Sequence, residues 1–310
     1  MLLWLWLPCP LSNRRSARGI ILPLISSCKI NVGLKVTGKR HDGYHTIQTI
    51  FQELDLTDTV ILESADEGWE IRCNSKSVPR NESNSCVRAY LSLKELFPDL
   101  GGIRIGLEKR IPVGSGLGGG SSNAATVLRG LNELFGLALS DDRLEEMGGT
   151  IGADVPFFIR GGTQFGEGLG DILSPVTLPY VGAVLLVVPE TSVSTEWAYD
   201  RVRKHLTGGF KSGKFGAVLQ SRGEERFVSS WAVADRFLEN DFESLVFQTY
   251  PEIGDIRDRL RDAGALFASL SGTGSTVFGI FGDEIRARRA QAVLSSPLQT
   301  FITHPIRKVH

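Results

Sequence analysis

The sequence predicts an α+β protein in two parts, and three observations carry that expectation. Ile103–Leu107 reads as a strand, Pro112–Ser122 as a glycine loop, and the stretch after it as an amphipathic helix. In that helix Ala124, Val127, Leu128, Leu131, Leu134 and Phe135 recur three or four residues apart, and Gly136 ends the run. From Ala183 onward, setting extra helices aside, the order is β-α-β-β-α-β, a ferredoxin-like layer. The pattern changes around Thr177–Pro179, which divides the chain into 20–178 and 179–310, after an extension 1–19.

With 310 residues, the chain has room for two ordinary cores. Apolar content of 42% and charged content of 22% are those of a globular protein, and a net charge of −1 gives no general pull on nucleic acid or an anionic membrane. Cys9, Cys28, Cys73 and Cys86 form no CxxC pair or zinc spacing, and the histidines form no HExxH helix, so a reducing, cytoplasmic setting without protein-bound zinc is expected. Met1–Pro10 is apolar but too short to span a bilayer and has no basic segment ahead of it. It reads as an extension from an upstream start codon rather than a targeting remnant.

The glycine loop is the strongest chemical signal. Unpaired N–H groups at a helix start, together with the helix dipole, favour an anion, and glycine lets the backbone approach it closely. Ser121 and Ser122 can donate hydroxyls to that anion or simply cap the helix. A Walker loop would need Lys-Ser/Thr after its last glycine, where this chain has Ser121-Ser122-Asn123. A dinucleotide fingerprint would open a βαβ unit with different spacing. Phosphate binding and a purely structural glycine turn both remain open on residue chemistry alone.

Earlier in the chain, Ile20–Ser26 and Lys29–Val36 read as two strands. The second alternates, with Ile30, Val32, Leu34 and Val36 on one face and Lys29, Asn31, Gly33 and Lys35 on the other. Lys29 is either a solvated edge lysine or a ligand group beside Asn31. Asp42-Gly43 marks a turn, followed by strands at His45–Leu54, Thr59–Leu62 and Trp69–Cys73. Tyr44 and Phe51 are core aromatics or a platform for a flat ring. Asn84–Phe97 is an amphipathic helix, and Ser140 caps a short one ending at Gly148-Gly149. Pro156 holds Val155 extended, which sets Asp154 at a bend ahead of an apolar strand, as a turn residue or as a general base. Later come a helix at Ser194–Leu206, a linker at Thr207–Gly216, helices from Asp241 and Glu252, strands Leu266–Leu270 and Thr276–Phe281, a helix from Asp283, and a strand at Phe301–His304. Ser271–Thr276 turns the central hairpin, where Gly272 and Gly274 serve the turn or bring the second part against phosphates.

Four stretches in this order resemble the GHMP kinase family: Lys29-Ile30-Asn31; Asp42-Gly43-Tyr44-His45 with Gln48–Phe51; Pro112–Ala125; and Gly152–Phe158. Ser271-Gly272-Thr273-Gly274 supplies a C-terminal glycine motif, and the match spans roughly Lys29–Phe281. Within that family the Asp42–His45 segment and the triple glycine before Ser121 point to the branch acting on 4-diphosphocytidyl-2-C-methyl-D-erythritol.

The resemblance implies a two-domain α+β fold, with an N-terminal ribosomal-protein-S5-domain-2-like domain that binds ATP and a C-terminal ferredoxin-like domain. It implies that ATP's phosphates lie along Pro112, Val113, Gly114, Ser115, Gly116, Leu117, Gly118, Gly119, Gly120, Ser121 and Ser122. Asp154 would take the proton of the acceptor's 2-hydroxyl, with Lys29 beside it keeping the carboxylate ionised and steadying the phosphoryl group. Asn31, Tyr44, His45 and Phe51 would surround the cytidine, with Thr195 and Tyr199 four residues apart on the next helix and Gly272, Thr273 and Gly274 from the hairpin. Mg²⁺ would arrive with ATP, with no dedicated protein ligand assigned. The expected partner is the small-molecule substrate alone, with no nucleic acid and no membrane, on a monomer or weak homodimer. The sequence alone leaves rivals: another GHMP kinase, a catalytically silent nucleotide-binding protein, and a dehydrogenase.

Overall fold

The computed structural model describes residues 19–205, 218–222, 225–294 and 298–307. The 1–18 stretch with Cys9 and the expected linker from Thr207 to Gly216 lie outside the described residues. The first layer is built on two long antiparallel strands, β1 (Ile21–Lys39) and β2 (His45–Ala65). Each was expected as two or more shorter strands. Polar residues that looked like breaks are absorbed as register shifts at Ser27/Cys28, Asn31/Leu34 and Val36/Gly38, where an extra residue bends a strand without ending it.

The shift at Asn31/Leu34 overturns the single-face alternation. Ile30 and Val32 enter one core while Leu34 and Val36 enter another, across Gly33 with its φ of +77°. β2 carries β1 along one edge, and along the other β4 (Gly102–Glu108) and β5 (Thr163–Glu167) in turn. β3 (Trp69–Cys73) joins β4 in parallel, and β6 (Ile172–Thr177) joins β5. β5 and β6 carried no strand signal because glycine and turn residues dilute them.

One face of this sheet is covered by α1 (Ser85–Leu96), α2 (Gly119–Leu134), α3 (Asp141–Ile151) and α4 (Val155–Arg160). Asn84 caps α1 by accepting from the Cys86 N–H, and Ser140 caps α3 by accepting from Arg143. α3 runs through Gly148-Gly149 rather than stopping there. At Gly130 of α2 a Cβ would stand 2.4 Å from a Leu24 methyl and 2.6 Å from one of Leu62, so this glycine sets how closely helix and sheet pack. The apolar strand expected after Asp154 is instead α4, because a proline is tolerated in a helix's first turn, where its missing N–H has no partner to lose.

The second layer follows: β7 (Ala183–Val188), α5 (Thr195–His205), β8 (Gln220–Arg222), β9 (Glu225–Phe227), α6 (Trp231–Phe237), α7 (Glu243–Thr249), α8 (Pro251–Asp262), β10 (Phe267–Leu270), β11 (Val277–Phe281), α9 (Glu284–Leu294) and β12 (Gln299–Thr303). β9 pairs with β6 and β8 with β9, so these two short strands extend the first sheet. The other four strands form an antiparallel sheet in the order β10-β11-β7-β12, the ferredoxin-like arrangement. Alternate residues of β7 and β11 fill two cores. Val184, Leu186, Phe278 and Ile280 meet Cys28, Ile30 and Val32 of β1. Ala183, Leu185, Val187 and Phe281 meet α5 and α7–α9. The two sheets are therefore joined back to back through β1, the strand that carries Lys29. No helix among the described residues is long and apolar enough to cross a membrane.

Candidate active site

A cavity of about 750 Å³ opens where the glycine loop, the middle of β1, the start of α4, α5 and the Ser271–Thr276 hairpin meet. The loop is held from two sides. The Lys29 N–H donates to the Leu117 carbonyl at 3.0 Å, which ties the loop to β1. The Thr276 N–H donates to Ser115 O at 3.1 Å and Ser271 Oγ to Gly116 O at 2.9 Å, which ties it to the hairpin. At Gly116, with φ +83°, a Cβ would stand 2.2 Å from the Ser271 carbonyl oxygen. Glycine is required there by both dihedral and space. Beyond Gly118, α2 begins with no side-chain cap on its first N–H groups, and Gly118, Gly119, Gly120 and Ser121 line the cavity.

Lys29 is buried, its side chain 5% exposed, and its ammonium is fixed from several directions. It donates to Asn31 Oδ1 at 2.6 Å and to Gly116 O at 3.0 Å, and lies 5.7 Å from the centre of the Phe51 ring. Asn31 is held in turn by its amide donating to Thr49 Oγ1, which donates to the Gly33 carbonyl. Asp154 Oδ2 lies 3.5 Å from Lys29 Nζ. Asp154 stands at the N-cap of α4, yet its side chain makes no capping hydrogen bond. Capping is the usual occupation of an aspartate at that position, so here the carboxylate is left for the cavity that it lines. Burial, with the Asp154 charge second, pushes the Tyr199 phenol well above its usual range.

Of the expected residues, Lys29, Asn31, Asp154, Pro112 through Ser121, Thr195, Tyr199, Gly272 and Thr273 line this one cavity. Thr195 and Thr273 hydroxyls meet at 3.2 Å across it, which joins α5 to the hairpin. Five others lie elsewhere. Phe51 is a core residue with no exposed surface, packed on Phe157 at 4.9 Å, and Lys29 covers it. Tyr44 is 65% exposed at the end of the Asp42-Gly43 turn. Ser122 is one helical step beyond Ser121 and so turns inward, where it accepts from Ser26 Oγ at 2.7 Å. Gly274 packs toward Leu270. His45 is outside the lining but stacks on Tyr199 with centroids 5.3 Å apart.

Several lining residues escaped the sequence reading: Lys109, Asn123, Asn84 and Ser85. Lys109 stands directly ahead of the loop, a cation whose position beside Pro112 was a usable signal. The other three are ordinary helix-start residues with no such mark.

These features meet known proteins at several points. The N-terminal domain model of the GHMP kinases matches residues 84–162, and the C-terminal model matches residues 229–299. The 4-diphosphocytidyl-2-C-methyl-D-erythritol kinase of Geobacter metallireducens is 40% identical over 282 residues, covering 91% of this chain and 96% of that protein. The chain belongs to the GHMP kinase family. It is a kinase, and ATP is the family's co-substrate. The kinase of the same name from Geobacter sulfurreducens is 41% identical over 274 residues, covering 88% of this chain and 94% of its own length. A crystal structure of a 4-(cytidine 5′-diphospho)-2C-methyl-D-erythritol kinase superposes with a TM-score of 0.75 at 32% identity, over 91% of this chain and 98% of that one. The homoserine kinase of Cytophaga hutchinsonii, 16% identical with a TM-score of 0.64 over 95% of this chain and 99% of its own, shares the fold. The two-domain α+β GHMP kinase fold expected from the sequence is therefore the fold of this family member.

Proposed function

We propose that this kinase transfers the γ-phosphoryl group of ATP to the 2-hydroxyl of 4-diphosphocytidyl-2-C-methyl-D-erythritol, in the non-mevalonate route to isoprenoid precursors. The observation that carries the reading is the convergence of Asp154, Lys29 and the start of α2 on one cavity, with the carboxylate 3.5 Å from the ammonium. Residues 20–178 would form the ATP-binding domain and 179–310 the second domain, with β8 and β9 crossing back to the first sheet.

In this mechanism ATP's phosphates lie along Pro112–Ser121, where backbone N–H groups and the α2 dipole meet their charge. The acceptor hydroxyl sits against Asp154. As its oxygen bonds to the γ-phosphorus, the bond from that phosphorus to the β–γ bridging oxygen breaks and ADP leaves. The hydroxyl proton passes to Asp154 and then to solvent. Lys29 neutralises charge on the transferring group, from a position that Asn31 and Gly116 have already fixed, so no reorganisation is needed during reaction. Positioning and charge stabilisation are most of what phosphoryl transfer requires.

Magnesium carried on ATP would supply neutralisation of the phosphate oxygens. The cavity offers it the Asp154 carboxylate and the Ser121 hydroxyl. Among the described residues no group of three or more His, Cys, Asp or Glu could hold a metal by itself. That donor set suits Mg²⁺ bound mainly by phosphates and water. The cytidine would lie toward Tyr199, the His45 ring stacked on it, Thr195 and Thr273.

The test is coupled ADP release across a panel of the cytidine-diphospho substrate, homoserine, mevalonate and galactose. ADP formation with the first, lost in Asp154→Asn, is expected. Turnover of another alcohol in its place would overturn the substrate, and full activity in Asp154→Asn would overturn the base.

A further inference from the structure

Beneath the glycine loop lies a charged network with no part in the mechanism above. Asp58, on β2, has a fully buried side chain, and it pairs with Lys109, whose side chain is 7% exposed. Asp58 Oδ1 accepts two consecutive backbone N–H groups, Arg110 at 2.8 Å and Ile111 at 2.9 Å, the residues leading into the loop. Asp58 Oδ2 accepts from Lys109 Nζ and from Asn123 Nδ2, the latter at 3.0 Å. Asn123 is in the opening turns of α2, just past the loop, and its amide also donates to Ser26 Oγ at 2.8 Å. Entry and exit of the loop are thus fastened to one carboxylate on a strand beneath it.

The same carboxylate aims a cation. Lys109 Nζ donates to Asn123 Oδ1 at 2.9 Å and lies 3.1 Å from where a Cβ of Gly119 would stand, beside the first residue of α2. Lys109 also lines the cavity. Fold stability alone is a weak reason for this arrangement, because a well-packed apolar pair commonly holds a core as well as a buried ion pair does.

We propose that Asp58 is a positioning residue for nucleotide binding: it fastens both ends of the glycine loop and holds the Lys109 ammonium at the phosphate side of the cavity. This rests on the reading that the loop holds ATP's phosphates. Asp58 touches neither substrate, so its loss acts on the affinity for ATP and leaves the acceptor side alone.

The experiment measures KM for ATP, KM for the alcohol substrate, kcat and the thermal midpoint in Asp58→Asn, Lys109→Met and the double variant. Asp58→Asn keeps an acceptor for the two N–H groups but removes the charge that orients Lys109. A rise of about tenfold in KM for ATP, the equivalent of one lost charge-assisted contact, is expected, with the alcohol's KM within about twofold. The double variant should fall short of the product of the singles, as coupled neighbours do. A folded Asp58→Asn with unchanged KM for ATP, equal rises in both KM values, or a multiplicative double variant would each overturn the proposal. If Asp58→Asn does not fold, Asn123→Leu leaves the Asp58–Lys109 ion pair in place and cuts the exit tie, together with the Asn123 bonds to Lys109 and Ser26. A rise of about threefold in KM for ATP is then expected, and none overturns the proposal. Gly120→Val separates the two readings, since a Cβ there has room and the side chain fills the cavity's phosphate side. If it raises KM for ATP while Asp58→Asn does not, the inference fails and the loop assignment stands. If neither does, the loop assignment itself fails.

Discussion

The two ends of the cavity are built differently. At the phosphate end every group is held by something buried: Lys29 by Asn31 and Gly116, the loop by β1 and the hairpin, Lys109 by Asp58 and Asn123. At the acceptor end the groups come from separate elements and differ in burial, with His45 and Tyr199 half-buried, Thr195 exposed and Thr273 buried. They are joined by a ring stack between His45 and Tyr199 and by one hydroxyl pair between Thr195 and Thr273. The phosphate end is preorganised for charge, and the acceptor end offers shape and a base. Changes at the first should therefore alter rate, nucleotide affinity and stability together, and changes at the second should separate them.

The sharpest separation is expected at Asp154. Its side chain makes no capping bond, and Lys29, its partner at 3.5 Å, keeps the Asn31 and Gly116 acceptors, so Asp154→Asn removes only the counter-charge from the fold. Loss of a general base costs about 10²–10⁴-fold in kcat, and the thermal midpoint should stay near wild type. A large fall in that midpoint would show that the carboxylate is structural after all.

Lys29→Met is the counterpart from the phosphate end. Loss of a preorganised charge at the transferring group costs about 10²–10³-fold in kcat. Unlike Asp154→Asn, it also strands the Asn31 and Gly116 oxygens in a buried place, a cost of about 1–3 kcal/mol. Kinetics paired with denaturant unfolding checks both. A variant that loses rate but no stability would erase the contrast between the two ends.

Gly116→Ala probes the bolt between loop and hairpin. The new methyl would meet the Ser271 carbonyl at a φ of +83°, and strain of this kind costs about 1–3 kcal/mol. Lower stability with raised KM for ATP is expected, and the alcohol's KM should move less.

How legible each end was follows from the same contrast. The glycine loop could be read as an anion site because its chemistry is local: the residues that make it are consecutive. Lys29 and Asp154 are 125 positions apart, and residue chemistry alone left each with a bland alternative that only the family resemblance removed. The family resemblance sets Phe51 beside the cytidine, whereas residue chemistry leaves a core position open, and the core is where it lies. Asp58 and Lys109 went unread because a buried ion pair looks, in sequence, like two surface charges. The long strands were cut short at Ser27 and Asp55, where polar residues signal breaks although a bulge or a buried partner accommodates them. Val155-Pro156 suggested extension, but proline's tolerance in a first helical turn prevailed.

The mildest expected effects lie at the acceptor end, in His45 and Tyr199. An aromatic pair contributes about 0.5–1.5 kcal/mol beyond burial, so Tyr199→Leu should raise the alcohol's KM by about 2–10-fold with kcat nearly kept. His45 adds a pH signature. Desolvation, with the nearby Lys39 charge second, holds its imidazole below the ordinary 6.5, against a weaker opposing pull from Asp200. The folded protein then binds fewer protons at this ring than the unfolded chain does, just below pH 6.5. The ring's contribution to stability is complete above that value and is lost as pH falls through the lowered pKa. The alcohol's KM should accordingly be flat through neutrality and rise only in acid, and His45→Gln should flatten that rise. Following the alcohol's KM across pH in both proteins tests this, and an unchanged KM profile in His45→Gln would remove the imidazole from the acceptor site.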